Sequence, residues 1–177
     1  MNNLSSSHQE QVAFADAIDL FIRRTGMLIA SVYVVLVLVI ITQVVLRKGF
    51  ASGLIALEEL QWHLYAVGVM FGLAYAQVNN AHIRVDLLYG KFRLRTKAWV
   101  EIFGMLFLVF PFIAVVFFHS LEFVHSAWVI NEHSDAPSGL PYRWLIKAVI
   151  PASFGLLFLA CVSRFIRDIC FLLRGKH

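Results

Sequence analysis

Charged side chains are scarce in this sequence. Asp, Glu, Lys and Arg make up 15% of its 177 residues, whereas hydrophobic residues make up 60%. Because about a quarter of the residues in a typical soluble domain are charged, this composition excludes an ordinary soluble globular domain. The shortage is uneven, and four segments have almost no charge: residues 27–46, 60–78, 99–118 and 144–163.

Each of these segments is long enough to cross a membrane. About twenty helical residues, rising roughly 1.5 Å each, span a hydrocarbon core of about 30 Å. We therefore predict an all-α integral membrane protein with four transmembrane helices in a single membrane domain, residues 1–177. The first apolar segment starts only after residue 26 and is followed by no small-residue cleavage site, so we expect it to be retained rather than removed as a signal peptide.

A short amphipathic helix is predicted before the first span, over residues 11–24. Phe14, Ile18, Phe21 and Ile22 recur at helical spacing, with charged residues between them. Two interpretations remain open: the helix lies on the inner leaflet, or it docks on a partner subunit.

The basic residues are divided unequally between the two sides of these spans. Eleven Lys and Arg residues lie on the side of the termini and of the loop after the second span, and four lie on the other side. Because cytoplasmic loops carry the excess of basic residues, we predict a multi-pass membrane protein with cytoplasmic N- and C-termini. The excess of basic residues on the cytoplasmic side accounts for the net charge of +4, so no nucleic-acid partner is expected.

Several signatures of active chemistry are also missing. The sequence has no P-loop, which excludes a P-loop ATPase, and no matching pair of Gly/Pro-interrupted helices of the kind that forms transporter substrate sites. Cys161 and Cys170 lie nine residues apart on one predicted helix and point to nearly opposite faces, so they cannot form a disulfide with each other. We predict a scaffold that is not an enzyme, with no catalytic residue and no cofactor or metal bound by this chain.

The second span starts with two acids. Glu58 and Glu59 either interact favourably with the helix dipole at the outer interface or recognise a partner. Glu59, Trp62 and His63 share one side of the predicted helix.

A stripe of small residues follows on roughly the opposite side of this helix: Gly68, Gly72 and Ala76, four residues apart. Such a stripe allows another backbone to approach closely in lipid. The second span is therefore predicted to pack on two sides.

Other polar residues in the spans allow sharper hypotheses. His63 and His119, near the external ends of two predicted helices, could ligate a haem. Glu122 and His125 resemble half of a carboxylate di-metal motif, but a second copy is missing. Glu101 lies near a span end, where it is expected to pair with Lys97 at i, i+4.

Kinks are expected near Pro111 and Pro151, because proline lacks the N–H that would bond one turn back. Lys147 is expected to extend its ammonium group to the external interface.

Five short motifs, in this order along the four-span pattern, resemble the small (Q-type) membrane subunit of a TRAP (tripartite ATP-independent periplasmic) transporter. The similarity covers about residues 26–167. The motifs are Glu58-Glu59-Leu60, Gly72-Leu73-Ala74, His82-Ile83-Arg84-Val85-Asp86-Leu87-Leu88, Ser138-Gly139-Leu140-Pro141 and Ile150-Pro151-Ala152-Ser153-Phe154-Gly155.

This resemblance implies a protein of the bacterial inner membrane and sodium-coupled import of an organic acid, of the C4-dicarboxylate or sialic acid class. A periplasmic binding protein would deliver the substrate. A large elevator-type permease subunit would carry the substrate and sodium sites, and this chain would enlarge its scaffold. Expected partners are that large permease subunit, the binding protein and membrane phospholipid. The candidate interface residues are Glu58, Glu59, Trp62, His63, Gly68, Gly72, Ala76, His82, Arg84 and Asp86.

Two rival functions remain open at this point. One is a cytochrome b-type redox subunit with His63 and His119 as haem ligands, and the other is a small transporter that works alone.

Overall fold

The computed structural model describes residues 2–79 and 93–174, and within these ranges all regular secondary structure is helical. Its helices are α1 (Asn2–Gly49), α2 (Ile55–Val78), α3 (Leu94–Gly104), α4 (Phe110–Val129) and α5 (Arg143–Arg174). A π-helical turn, Met105–Val109, joins α3 to α4 without a break. The predicted all-α class is confirmed.

Three helical stretches in the described residues are long and apolar enough to cross a membrane: Ala15–Gly49, Arg95–Val129 and Arg143–Leu173. They contain the predicted spans 27–46, 99–118 and 144–163. The remaining predicted span, 60–78, lies in α2, which is not among them. Gln61, His63 and Gln77 are polar residues within α2 and lower its mean hydropathy.

The amphipathic segment over residues 11–24 is not a separate short helix, because it is the first part of the continuous helix α1. Ala15 and Ile22 are buried. Gly26 lets α1 pack closely against α2, because a Cβ at this position would collide with the ring of Tyr75. This part of α1 therefore packs against other helices of the chain.

The helix after the loop is longer than predicted. The span was predicted over residues 99–118, but α4 continues to Val129. Residues 120–129 include neither Gly nor Pro, so nothing in their backbone chemistry stops the helix.

The π-helical turn Met105–Val109 ends two residues before Pro111, near which a kink was predicted. Pro111 has no N–H to donate one turn back, and the wider π-helical turn lets the helix continue without that hydrogen bond. By contrast, α5 remains helical through Pro151.

Helix α5 is the centre of the bundle, since α1, α2, α3 and α4 all pack against it. One buried cluster joins α1, α2 and α5 through Ile22, Ala74, Val78 and Ala160. A second joins α4 and α5 through Ile113, Phe154 and Cys161. Many large apolar side chains elsewhere remain exposed, as in helices whose surroundings are lipid or another membrane subunit.

Candidate partner interface and polar clamps

We call the two ends of the bundle the loop end and the terminal end. The loop end contains the 50–54 link and the 130–142 segment. The terminal end contains the start of the α1 span, the end of α2, the start of α3 and the end of α5.

At the loop end, Glu59 fastens the 130–142 segment to α2. Its carboxylate accepts hydrogen bonds from the Ser134 hydroxyl and from the backbone N–H of Leu140, the latter at 2.6 Å. The hydrogen bond from Ser134, followed by that from Leu140, holds the pKa of the Glu59 carboxyl below its usual range. Glu59, predicted as a partner contact, is therefore engaged within its own chain.

A second clamp lies within the same segment. Glu132 pairs with Lys147, and its backbone carbonyl accepts a hydrogen bond from the N–H of Arg143 at 3.1 Å. The Lys147 ammonium also lies 3.9 Å from the ring centroid of Phe123, a cation–π contact. The pairing links the end of α4 to the start of α5.

The 50–54 link is held by one amide. The buried side chain of Gln43 accepts a hydrogen bond from the Leu54 N–H at 3.4 Å and donates one to the Leu54 carbonyl at 3.3 Å. Sequence reasoning missed this residue, because an isolated Gln in an apolar run has no local signal that identifies its partner.

At the terminal end, α1 is attached to α5 by a polar cluster. The buried Ser163 hydroxyl lies 3.1 Å from the Ala15 carbonyl oxygen and 2.6 Å from Oδ1 of Asp19. Arg167 donates hydrogen bonds to Asp19 and, at 2.8 Å, to Asp16. These contacts fix the amphipathic part of α1 against the bundle.

A second ion cluster at this end joins α3 to α5. Arg164 donates from Nε at 3.0 Å and from an NH2 group at 2.7 Å to Oε2 of Glu101. Its Nε also lies 3.2 Å from Oδ2 of Asp168, one turn along α5. Two carboxylates thus share one guanidinium between the helices.

The small-residue stripe of α2 divides into an inner and an outer part. Gly68 is buried against the ring of Tyr33 on α1. At Gly72, an added Cβ would meet no heavy atom within 4 Å. Ala76 is half-buried. Gly68 therefore allows α1 and α2 to pack within this chain, whereas the surface at Gly72 is open to a helix of another subunit.

The other predicted interface residues are scattered around α2. Trp62 is 68% exposed, Glu58 is exposed and His63 is half-buried. His82, Arg84 and Asp86 lie outside the described residues.

An apolar groove with a volume of about 310 Å³ lies between α4 and α5. Apolar side chains and Gly155 line it: Phe110, Ile113, Ala114, Phe117, Phe118 and Phe158. With no polar group among them, this lining offers no chemistry for catalysis or ion binding.

The haem hypothesis gains no support. His63 is on α2 and His119 is on α4, and these helices make no extensive contact within the described ranges. The Nδ1 atom of His119 lies 2.9 Å from the Val115 carbonyl oxygen. The described residues also contain no group of three His, Cys, Asp or Glu side chains arranged to hold a metal ion.

Comparison with known proteins identifies similarity to transporter components. The sequence profile of the DctQ component of tripartite ATP-independent periplasmic transporters matches residues 36–171, well over half of the chain. A Haemophilus influenzae protein whose name includes "TRAP transporter small permease protein" is 27% identical over 150 residues, which cover 82% of this chain and 88% of that relative.

Proposed function

Because the chain belongs to the DctQ component family of TRAP transporters, we propose that it is the small permease subunit that holds a larger permease subunit in the membrane. One observation carries this proposal: the face of α2 around Gly72 is open, although the same stripe is closed by Tyr33 at Gly68. An open small-residue surface suits close helix packing in lipid.

The proposed topology has four spans, and α2 is added to the three that hydropathy identifies. Its 24 residues would extend about 36 Å at 1.5 Å per residue, enough to cross the hydrocarbon core. Packing of α2 against α1 and α5 supports this placement, because its polar side chains can face protein rather than lipid. The loop end then faces the periplasm and the terminal end the cytoplasm of a bacterium, with the inner membrane between them.

A supporting role follows from where the charges are used. In the described residues, the strong ion pairs join helices of this chain at the two ends of the bundle, and the groove between α4 and α5 is apolar. We propose that the sodium and substrate sites lie on the large permease subunit. The substrate would be an organic acid of the C4-dicarboxylate or sialic acid class, delivered by a periplasmic binding protein.

Reconstituted uptake tests this division of labour. Proteoliposomes with this chain, the large permease and the binding protein should accumulate radiolabelled organic acid when a sodium gradient is imposed. Omitting this chain should reduce uptake to the background of empty liposomes. Uptake by this chain alone would show an autonomous transporter, and full uptake without it would remove the scaffold role.

Topology has its own test. Ser52→Cys at the loop end should react with an impermeant maleimide in intact spheroplasts. Thr96→Cys at the terminal end should react only after permeabilisation. The native Cys161 and Cys170 are buried and provide a low background. The reverse labelling pattern would contradict the orientation.

A further inference from the structure

A polar pocket lies between α1 and α2 at the loop end, with a volume of about 140 Å³. We call it the Gln61 pocket, and its lining residues are Ile40, Gln43, Val44, Arg47, Glu58 and Gln61. An apolar groove of about 210 Å³ shares Ile40 and Gln61 with the pocket and is completed by Leu36, Trp62 and Tyr65. The two spaces are therefore adjacent.

Gln61 has an unmet hydrogen-bonding requirement. Its Nε2 atom is shielded from solvent and has no hydrogen-bond partner in the part of the chain that the structure describes. A shielded amide donor in a membrane helix is costly unless an acceptor is supplied. Because Gln61 lines the pocket, a ligand acceptor bound there would meet this requirement.

The charges at the pocket mouth are of opposite sign and have no ion-pair partner among the described residues. Arg47 and Glu58 are both exposed there. A guanidinium binds phosphate well, and a carboxylate binds an ammonium group. Together they complement a zwitterion that contains one phosphate and one ammonium.

The polarity of the site changes with depth along the helices. Leu36 is eleven residues from Arg47 along α1, about 16 Å, and Tyr65 is seven from Glu58 along α2, about 10 Å. Polar groups thus lie at the end of the bundle and apolar groups lie deeper. A phospholipid has the same order, from headgroup to acyl chain.

We propose that the Gln61 pocket and its apolar groove bind one zwitterionic phospholipid with an ammonium headgroup, such as phosphatidylethanolamine. Arg47 binds the phosphate, Glu58 binds the ammonium, and Gln61 donates to a phosphate or ester oxygen. One acyl chain lies along Leu36 and Trp62. The leaflet is the outer one only if the proposed orientation holds, but the site itself does not depend on that orientation.

Native mass spectrometry of the full-length chain in mild detergent tests this site, with phosphatidylethanolamine and phosphatidylglycerol as probes. The wild type should retain phosphatidylethanolamine preferentially. Gln61→Leu and Arg47→Gln should each weaken its binding about tenfold, as expected for one hydrogen bond to a charged group. Glu58→Gln should reduce the preference for phosphatidylethanolamine over phosphatidylglycerol.

Two matched controls lie outside the pocket lining: Lys48→Gln next to Arg47, and Gln77→Leu at the other end of α2. Both should retain the lipid as the wild type does. Arg47 is exposed, so its variant keeps the test valid if Gln61→Leu folds poorly, which circular dichroism would reveal.

Equal binding of both lipids by the wild type and by the Gln61 and Arg47 variants would overturn the proposal. It would also be overturned if Gln61→Leu retained the lipid but no longer co-purified with the large permease, because the pocket would then receive a partner helix. Failure of the lipid test leaves the reconstituted-uptake result unaffected, so this proposal and the proposed function are tested separately.

Discussion

Arg164 provides a quantitative test of the terminal-end packing. The change Arg164→Leu would remove the guanidinium that donates hydrogen bonds to both Glu101 and Asp168. Two carboxylates would then face each other at the contact between α3 and α5. Either both carboxylates stay charged and repel each other, or one of them becomes protonated, and both outcomes lower the free energy of unfolding.

Burial sets the size of the expected effect. The side chains of Arg164, Glu101 and Asp168 are 26%, 17% and 12% exposed. Removing one partner of a buried ion pair costs about 3–5 kcal/mol, and partial exposure places this cluster at the lower end, about 3 kcal/mol. Neutralising the carboxylates as well, with Glu101→Gln and Asp168→Asn, should recover about half of that loss.

The assay is reversible unfolding in mixed micelles by titration with dodecyl sulfate, with helicity as the readout. Arg143→Leu is the matched control, because Arg143 lies 3.9 Å from Glu132 and from the fully exposed Asp135. Such a surface pair should cost less than about 1 kcal/mol. The reasoning is refuted if Arg164→Leu loses no more stability than Arg143→Leu, or if the triple variant is less stable than the single one.

Three further predictions concern the clamps and the stripe. Gly68→Leu should lower the free energy of unfolding by about 1–3 kcal/mol in the same titration, because the new side chain overlaps Tyr33; an unchanged value would contradict that packing. Ser163→Ala should cost about 1 kcal/mol and speed amide exchange in the first turns of the α1 span, whereas unchanged exchange would show that the hydroxyl does not hold α1. Because the pKa of Glu59 is lowered, the stabilisation that its carboxylate provides is complete above the ordinary value of 4.5 and is lost as pH falls through the lower folded value. The exchange protection factor of the Leu140 amide should follow this course. Glu59→Gln should give weaker protection that does not change with pH in that range.

Composition and hydropathy were enough to predict the helical class and three of the spans, because bilayer thickness imposes a length that can be counted in the sequence. The motif resemblance is confirmed by the match to the family. Helix ends were predicted less well. The predicted span stopped at residue 118, yet the helix continues to Val129, because residues 120–129 contain neither Gly nor Pro.

Long-range partners could not be predicted from spacing. Glu101 lies 63 residues from Arg164, and Glu59 lies 75 from Ser134. Helical spacing does not point to Arg164 as a partner of Glu101, and for Glu59 local rules offered a helix dipole or a partner protein. Likewise, the repeat of Gly68, Gly72 and Ala76 predicted a packing stripe, but only the position of Tyr33 shows that the stripe is closed at Gly68 and open at Gly72.

The central claim, that α2 holds the large permease through its open stripe, is tested most directly by affinity co-purification of that subunit with Gly72→Leu. Gly104→Leu is the matched control, because Gly104 is also a half-buried helical glycine with no heavy atom near its missing Cβ. We expect Gly72→Leu to reduce the co-purified permease at least tenfold, at unchanged yield of this chain, and Gly104→Leu to leave it unaltered. An unchanged amount of permease with Gly72→Leu would contradict the claim.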